Sequence, residues 1–170
     1  MNAGTADGAV ADRPFNVTIV TKEGRMAVWS KEDARFGYRE SHFPRGSVVI
    51  SARFLLKKEE SEAIKARVQK YRANRVETQP LNVPNLGSVF KNPPASKKSK
   101  LFAGRLIEDT GLKSIRVGGA RISPKHANFI VNEGGASAKD VLVLIGLVRD
   151  KVKERFGLLL EPEVRVVGEE

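Results

Sequence analysis

Cysteine is absent from this chain, and histidine occurs only twice. The first absence removes disulfides, zinc-thiolate centres and thiol nucleophiles, and it leaves the redox compartment unreadable. The second leaves too few imidazoles for a histidine-built metal site. Aromatic residues make up 6% of the chain, thin for a protein that holds single-stranded nucleic acid by stacking bases on rings. No apolar run approaches the roughly 20 residues that a membrane-spanning helix requires. Residues 1–14 lack the basic start and apolar stretch of a secretory signal, and they are too acidic and too poor in Arg and Ser for a transit peptide. No export and no membrane association are expected.

What remains is an ordinary soluble composition, with 41% hydrophobic and 29% charged residues in 170 positions. That length holds one complete domain with a real core, or one domain plus part of a neighbour; one complete and one incomplete unit are expected. Lys and Arg outnumber Asp and Glu by 30 to 20, giving +10, a balance that favours an anionic partner: nucleic acid, an acidic surface or a phosphorylated small molecule. Charge alone does not choose among them, because solvated helix faces carry the same residues. The run Ser96-Lys97-Lys98-Ser99-Lys100 reads as a surface insertion.

Along the chain the pattern is α+β. Residues 15–21 alternate apolar and polar side chains, Gly24 supplies a turn, and residues 26–29 resume the extended pattern, which predicts a hairpin. Ser30 with Asp33 predicts a capped helical turn. Residues 47–56 form a nearly continuous apolar run, expected as a strand buried on both faces. Ile64, Val68 and Tyr71 recur at helical spacing within residues 59–75, an amphipathic surface helix. Prolines at 80, 84, 93 and 94 then place Ser88 in a loop-rich stretch. Residues 102–110 read as a short helix stopped at Gly111, and residues 115–117 and 128–131 as strands around a Gly118-Gly119 turn. Ser137 with Asp140 opens a long helix whose buried stripe is Val141, Leu144, Ile145, Val148, Val152 and Phe156, ended by Gly157. Residues 163–167 are expected to close the sheet. The lone Gly118-Gly119 pair does not complete a dinucleotide fingerprint.

Two places carry chemistry. Gly87-Ser88-Val89-Phe90-Lys91-Asn92-Pro93 puts a hydroxyl and a carboxamide at an apolar-backed turn. If Glu163-Val164-Arg165 is extended, its carboxylate and guanidinium share one face. A hydroxyl, a carboxamide, a carboxylate and a guanidinium suit proton transfer to an anion. The same residues also suit plainer work: Ser88 can satisfy a turn backbone, Glu163 and Arg165 can form a strand-edge ion pair, and Arg39 can pack on Tyr38.

These segments, together with Met1-Asn2-Ala3-Gly4, Phe36-Gly37-Tyr38-Arg39-Glu40-Ser41, Gln79-Pro80-Leu81, Ala103-Gly104-Arg105-Leu106-Ile107, Arg116-Val117-Gly118-Gly119-Ala120, Lys125-His126-Ala127-Asn128-Phe129 and Leu160-Glu161-Pro162-Glu163-Val164-Arg165, resemble the UDP-N-acetylenolpyruvoylglucosamine reductase family, also called UDP-N-acetylmuramate dehydrogenases. The resemblance implies a partial FAD-binding domain over residues 1–58 and a mixed α+β substrate-binding domain over 59–170. It also implies that a flavin-holding domain preceding this portion is missing or separate, and that the spacing from Tyr38 to Ser88 is that of the shorter subtype. Thr5-Ala6-Asp7-Gly8 and the insertion around Lys97 depart from the family pattern.

By resemblance the activity is reduction of UDP-N-acetylglucosamine enolpyruvate to UDP-N-acetylmuramate in peptidoglycan synthesis, with NADPH as hydride donor and FAD as cofactor, in bacterial cytoplasm or a plastid. The same resemblance casts Arg39, Ser88 and Glu163 as catalytic, with Ser88 donating the proton, and Tyr38, Arg75, Gln79, Asn92 and Arg165 as substrate-binding. Asn2, Gly4, Gly118, Gly119 and His126 fall near the flavin, and the chain by itself is expected to be inactive. The competing readings are a basic α+β module for RNA or another polyanion, for which neither an RRM-like aromatic pair nor a KH-type loop stands out, and a noncatalytic remnant.

Overall fold

The computed structural model of the chain describes residues 2–5, 8–13, 15–94 and 101–168. The lysine-rich run at 96–100 lies outside the described residues. The chain divides into two compact units, Met1–Ser61 and Glu62–Glu170.

In the first unit, β3 (Phe15–Val20) is the central strand between β4 (Met26–Ser30) and β5 (Val48–Phe54), all antiparallel. The expected hairpin forms with Gly24 at φ 77°. Alternation along β3 sends Phe15, Val17 and Ile19 to one face, where Ala27, Trp29, Phe36 and Phe43 pack against them. Two short strands, β1 (Gly4–Thr5) and β2 (Gly8–Ala9), pair ahead of this sheet. Ser30 and Asp33 exchange the hydrogen bonds of a capping box, Ser30 N–H to Asp33 Oδ2 at 2.9 Å and Asp33 N–H to Ser30 Oγ at 3.2 Å, although only a turn follows. β5 corrects an expectation. It is an edge strand paired with β3, but all seven of its residues are exposed, and none of them joins the buried cluster on β3. It also carries one extra residue, Ile50, where the register slips between Thr18 paired with Ser51 and Ile19 paired with Val49.

The second unit has an antiparallel sheet in the order β6 (Asn85–Ser88), β9 (Phe129–Asn132), β8 (Ala120–Ile122), β7 (Arg116–Val117). The α2 helix (Ala103–Asp109) and the α3 helix (Ala138–Phe156) contribute Leu106, Ile107, Leu144, Val148 and Val152 to a core shared with Ile122, Ile130, Val89, Phe90 and Leu160. α3 begins as its sequence dictates: Asp140 N–H donates to Ser137 Oγ at 3.1 Å and Ser137 N–H donates back to Asp140 Oδ2 at 2.9 Å. The bond from Ser137 N–H, first, and those from the Ser137 side chain and Gly119 N–H hold the Asp140 carboxyl below its usual range. Gly157 ends the helix in the left-handed region at φ 67°. Phe156 is 36% exposed and does not join the buried stripe expected of it.

Three further expectations are corrected here. The Gly118-Gly119 turn joins β7 to β8, a strand not expected, and β9 then pairs with β8; residues 120–122 are too short a run to show alternation by themselves. Residues 163–167 do not form a strand: among the described residues the ladder pairing of this tail is a single antiparallel bridge, Phe90 with Pro162. Finally, the α1 helix (Ser61–Thr78) buries none of its residues. Ile64, Val68 and Tyr71 sit on its surface at 40 to 48% exposure. A Glu62 to Lys65 pair one turn apart at 2.8 Å lies along it, and the Lys125 ammonium donates to Val76 C=O at its C-terminal end.

Candidate functional site

Ser88 ends a strand rather than sitting in a loop. Asn85 pairs with Val131 and Ser88 with Phe129, so β6 takes three steps where β9 takes two. Gly87, at φ 76°, absorbs the extra residue. Such a bulge re-aims the side chain beside it: Ser88 is exposed while Val89 and Phe90, immediately after it, are buried.

Beyond the bulge, residues 89–91 acquire neighbours on both sides. On one side lies the C-terminal tail, where Glu163 N–H donates to Val89 C=O at 2.8 Å and Lys91 N–H donates to Glu161 C=O at 2.9 Å. The Lys91 ammonium and the Glu161 carboxylate reinforce this pairing. On the other side is Asn128, 5% exposed. Its Oδ1 accepts from Phe90 N–H and its Nδ2 donates to Phe90 C=O, both at 2.9 Å. Glu163 is thus carried by the main chain next to Ser88, although 75 positions separate them in the sequence, and a hydroxyl and a half-buried carboxylate stand on adjoining segments.

Of the other candidates in this unit, Asn92 uses its side-chain oxygen to accept from Ala103 N–H at 3.0 Å, capping α2 across the chain. Arg75 lies in the last turn of α1, and Gln79 follows that helix with its N–H on Arg75 C=O at 2.9 Å. Arg165 is exposed on the tail. His126 is half-buried; its Nδ1 accepts from Asn128 N–H at 3.2 Å, which puts the ring proton of the neutral form on Nε2. Burial first, and then the nearby Lys113 charge, push the His126 pKa below the usual imidazole value. Gly104 makes room for this ring, since a Cβ there would lie 2.9 Å from His126 Cε1.

In the first unit, residues 37–40 form a tight turn with Arg39 in the left-handed region at φ 59°, so the stretch after Arg39 does not run on as an extended strand. The guanidinium folds back to donate to Asn2 C=O at 3.4 Å and Gly4 C=O at 3.3 Å, with its carbon 5.2 Å from the Tyr38 ring centroid. Arg39, Tyr38, Asn2 and Gly4 are therefore one cluster. The Asn2 side chain is committed to Gly37 C=O and Ala11 N–H at 3.2 and 3.0 Å. Gly118 and Gly119 have a packing reason to be glycine: a Cβ would fall 2.4 Å from the Asp140 carboxylate at the first, and 2.4 Å from Ala136 N and Gly134 O at the second.

The sequence reading missed Asn128 as a member of the site. The available signal was an amide residue directly before three apolar strand residues, Phe129 to Val131, in a motif already singled out for the histidine two positions earlier.

Fold and site together define an α+β module whose antiparallel sheet, backed by helices, presents a hydroxyl and a carboxylate on adjoining segments. Residues 79–167 match the family described as UDP-N-acetylenolpyruvoylglucosamine reductase, C-terminal domain, and the chain belongs to that family. It is 45% identical over 170 residues to the UDP-N-acetylenolpyruvoylglucosamine reductase of Lachnoclostridium phytofermentans, an alignment covering 99% of this chain and 53% of the relative. Similarity to the reductase of that name from a Thermotoga species is 46% over 167 residues, 98% of this chain and 54% of the relative. The crystal structure of UDP-N-acetylenolpyruvylglucosamine reductase from Thermus caldophilus superposes with a TM-score of 0.81 at 41% identity, over 97% of this chain and 57% of that one. The chain spans about half the length of the curated relatives it matches.

Proposed function

We propose that this chain is the substrate-side portion of an FAD- and NADPH-dependent reductase that converts UDP-N-acetylglucosamine enolpyruvate to UDP-N-acetylmuramate in cytoplasmic peptidoglycan synthesis. The observation that carries the reading is the pairing of residues 89–91 with 161–163, which sets Ser88 beside Glu163 within the stretch matched to the family's C-terminal domain. Reduction of an enolpyruvyl ether builds negative charge next to the substrate carboxylate, and that charge has to be stabilised and then protonated. Ser88 Oγ is the proton donor: a hydroxyl is a weak acid, but an enolate is basic enough to take its proton across one hydrogen bond or one water. Glu163 shares or supplies a proton, and Arg39 offers a fork of donors to the developing charge. Asn92, Gln79, Arg75, Arg165 and Tyr38 bind the sugar nucleotide, with the arginines serving its phosphates. Asn2, Gly4, Gly118, Gly119 and His126 lie near the flavin, most of whose cradle is supplied by sequence other than this chain, and this chain alone is inactive.

The test is calorimetric titration of the purified chain with UDP-N-acetylglucosamine enolpyruvate, beside a visible absorption spectrum for flavin. The reading expects sugar-nucleotide binding without stoichiometric flavin and without NADPH oxidation. Salt-sensitive RNA binding with no affinity for the sugar nucleotide would replace it by the polyanion reading. When a polypeptide supplying the flavin is added, Ser88→Ala should leave flavin reduction by NADPH intact and slow the substrate half-reaction by about 10²-fold or more.

A further inference from the structure

We propose that Asn128 is a positioning residue for the Ser88 and Glu163 pair, an inference that rests on the roles given to those two residues above. In an antiparallel ladder the main-chain groups of successive residues point alternately to the two sides. Val89 C=O and Lys91 N–H point toward the C-terminal tail and are taken by Glu163 N–H and Glu161 C=O. Both polar groups of Phe90 therefore point the other way. There the regular ladder has run out: β9 begins at Phe129, and Ser88 with Phe129 is its last pair with β6. The Asn128 side chain takes the place of a strand neighbour, giving Phe90 an acceptor and a donor at 2.9 Å each, while its own C=O accepts from Val89 N–H at 2.9 Å.

The strand that ends in Ser88 and the tail that carries Glu163 thus share one support, residues 89–91, and that support is clamped from behind by a single buried carboxamide. Only a group with one acceptor and one donor at the same end can do this. Leucine offers neither, and an ionised aspartate offers acceptors alone, facing Phe90 C=O with a lone pair. A protonated aspartic acid reproduces the pattern, because its hydroxyl donates where the amide did. Burial raises the pKa of such a carboxyl and brings the rescue within reach of mild acid.

The experiment compares the wild-type chain with Asn128→Asp and Asn128→Leu by amide hydrogen exchange across a pH series, expressed as protection relative to the intrinsic rate at each pH. The charged and titrating groups around the position are Lys125 and His126 on its own turn, Lys91 on the clamped strand, Glu161 and Glu163 on the tail, and Glu108 and Lys113 beside His126. All are common to the variants, so the ratio to wild type at each pH isolates residue 128. At pH 8 the inference expects Val89, Lys91 and Glu163 amides in Asn128→Asp to lose protection by tenfold or more, while Ile122 and Val148 keep theirs, and expects protection to return on acidification. Asn128→Leu, if folded, should lose protection at every pH. Retained protection at Glu163 in Asn128→Asp at pH 8, or uniform loss across the core amides with no return in acid, would overturn it.

Titration of the same proteins with UDP-N-acetylglucosamine enolpyruvate adds a functional readout, with affinity down about tenfold in Asn128→Asp at pH 8 and recovering with protection. If the wild-type chain binds no sugar nucleotide, the proposed function fails and the exchange data still decide whether Asn128 holds Glu163.

Discussion

In the second unit Ile107, Ile122, Leu144 and Val152 are wholly buried and Val148 is 1% exposed, with strands on one side and α2 and α3 on the other. In the first unit, Phe15, Val17 and Ile19 make the buried cluster, while Met26, Val28, Val48 and Ile50 stand at 52 to 69% exposure. Both regions carry apolar runs of similar strength. The difference is whether a described element covers them, and it separates a unit that stabilises itself by burial from one that leaves most of its apolar strand surface exposed. The region that closes on itself is also the one that brings Ser88 and Glu163 together.

The largest expected effect follows directly. Trp29 is the only tryptophan and lies in the smaller cluster, so its fluorescence in urea reports the first unit, whereas amide NMR peaks of Ile122 and Val148 report the second. The fluorescence transition should come at clearly lower urea. Coincident transitions would mean that the two units unfold as one. Within that contrast, Leu144→Ala should cost about 2 to 5 kcal/mol in the second transition, whereas Val28→Ala should move the first by no more than about 0.5 kcal/mol.

Two glycines sharpen the comparison inside the second unit. Gly119→Ala forces a methyl against main-chain atoms at 2.4 Å and should cost about 2 to 4 kcal/mol, since neither neighbour is a flexible side-chain tip. Gly87→Ala meets nothing within 4 Å, so it should lose only the left-handed backbone preference, about 1 to 2 kcal/mol. Denaturant titration of both variants orders them, and a reversed order would show that the bulge is held by more than its backbone.

The smallest effect concerns His126. Its folded pKa is depressed below 6.5, so the unfolded chain binds the proton more readily and stability falls as pH drops through that ordinary value toward the folded one. Above it there is no penalty. Unfolding midpoints between pH 8 and 5 should therefore decline more in wild type than in His126→Gln, and equal slopes would remove the histidine as the cause.

The long helix was legible because its capping box, its stripe and its terminal glycine all agree over residues 137–157. The first hairpin was legible for the same reason, since Gly24 separates two alternating runs. Periodicity says that a face is apolar but not what covers it, which is why β5 and α1 were expected buried or half-buried and are exposed. Residues 163–167 alternate as a strand would, yet among the described residues the pairing of this tail stops at one bridge, Phe90 with Pro162. Motifs marked Ser88 and Glu163, but their adjacency depends on which segments pair, and Asn128 carries no motif of its own chemistry. Its importance comes from the two main-chain groups it meets.

The most direct test of the central claim is an amide NMR titration of the chain with UDP-N-acetylglucosamine enolpyruvate. If the shared strand is the heart of the site, the amides of Val89, Lys91 and Glu163 shift together and saturate with one dissociation constant. Unchanged positions for these three at concentrations where other amides respond would contradict the account.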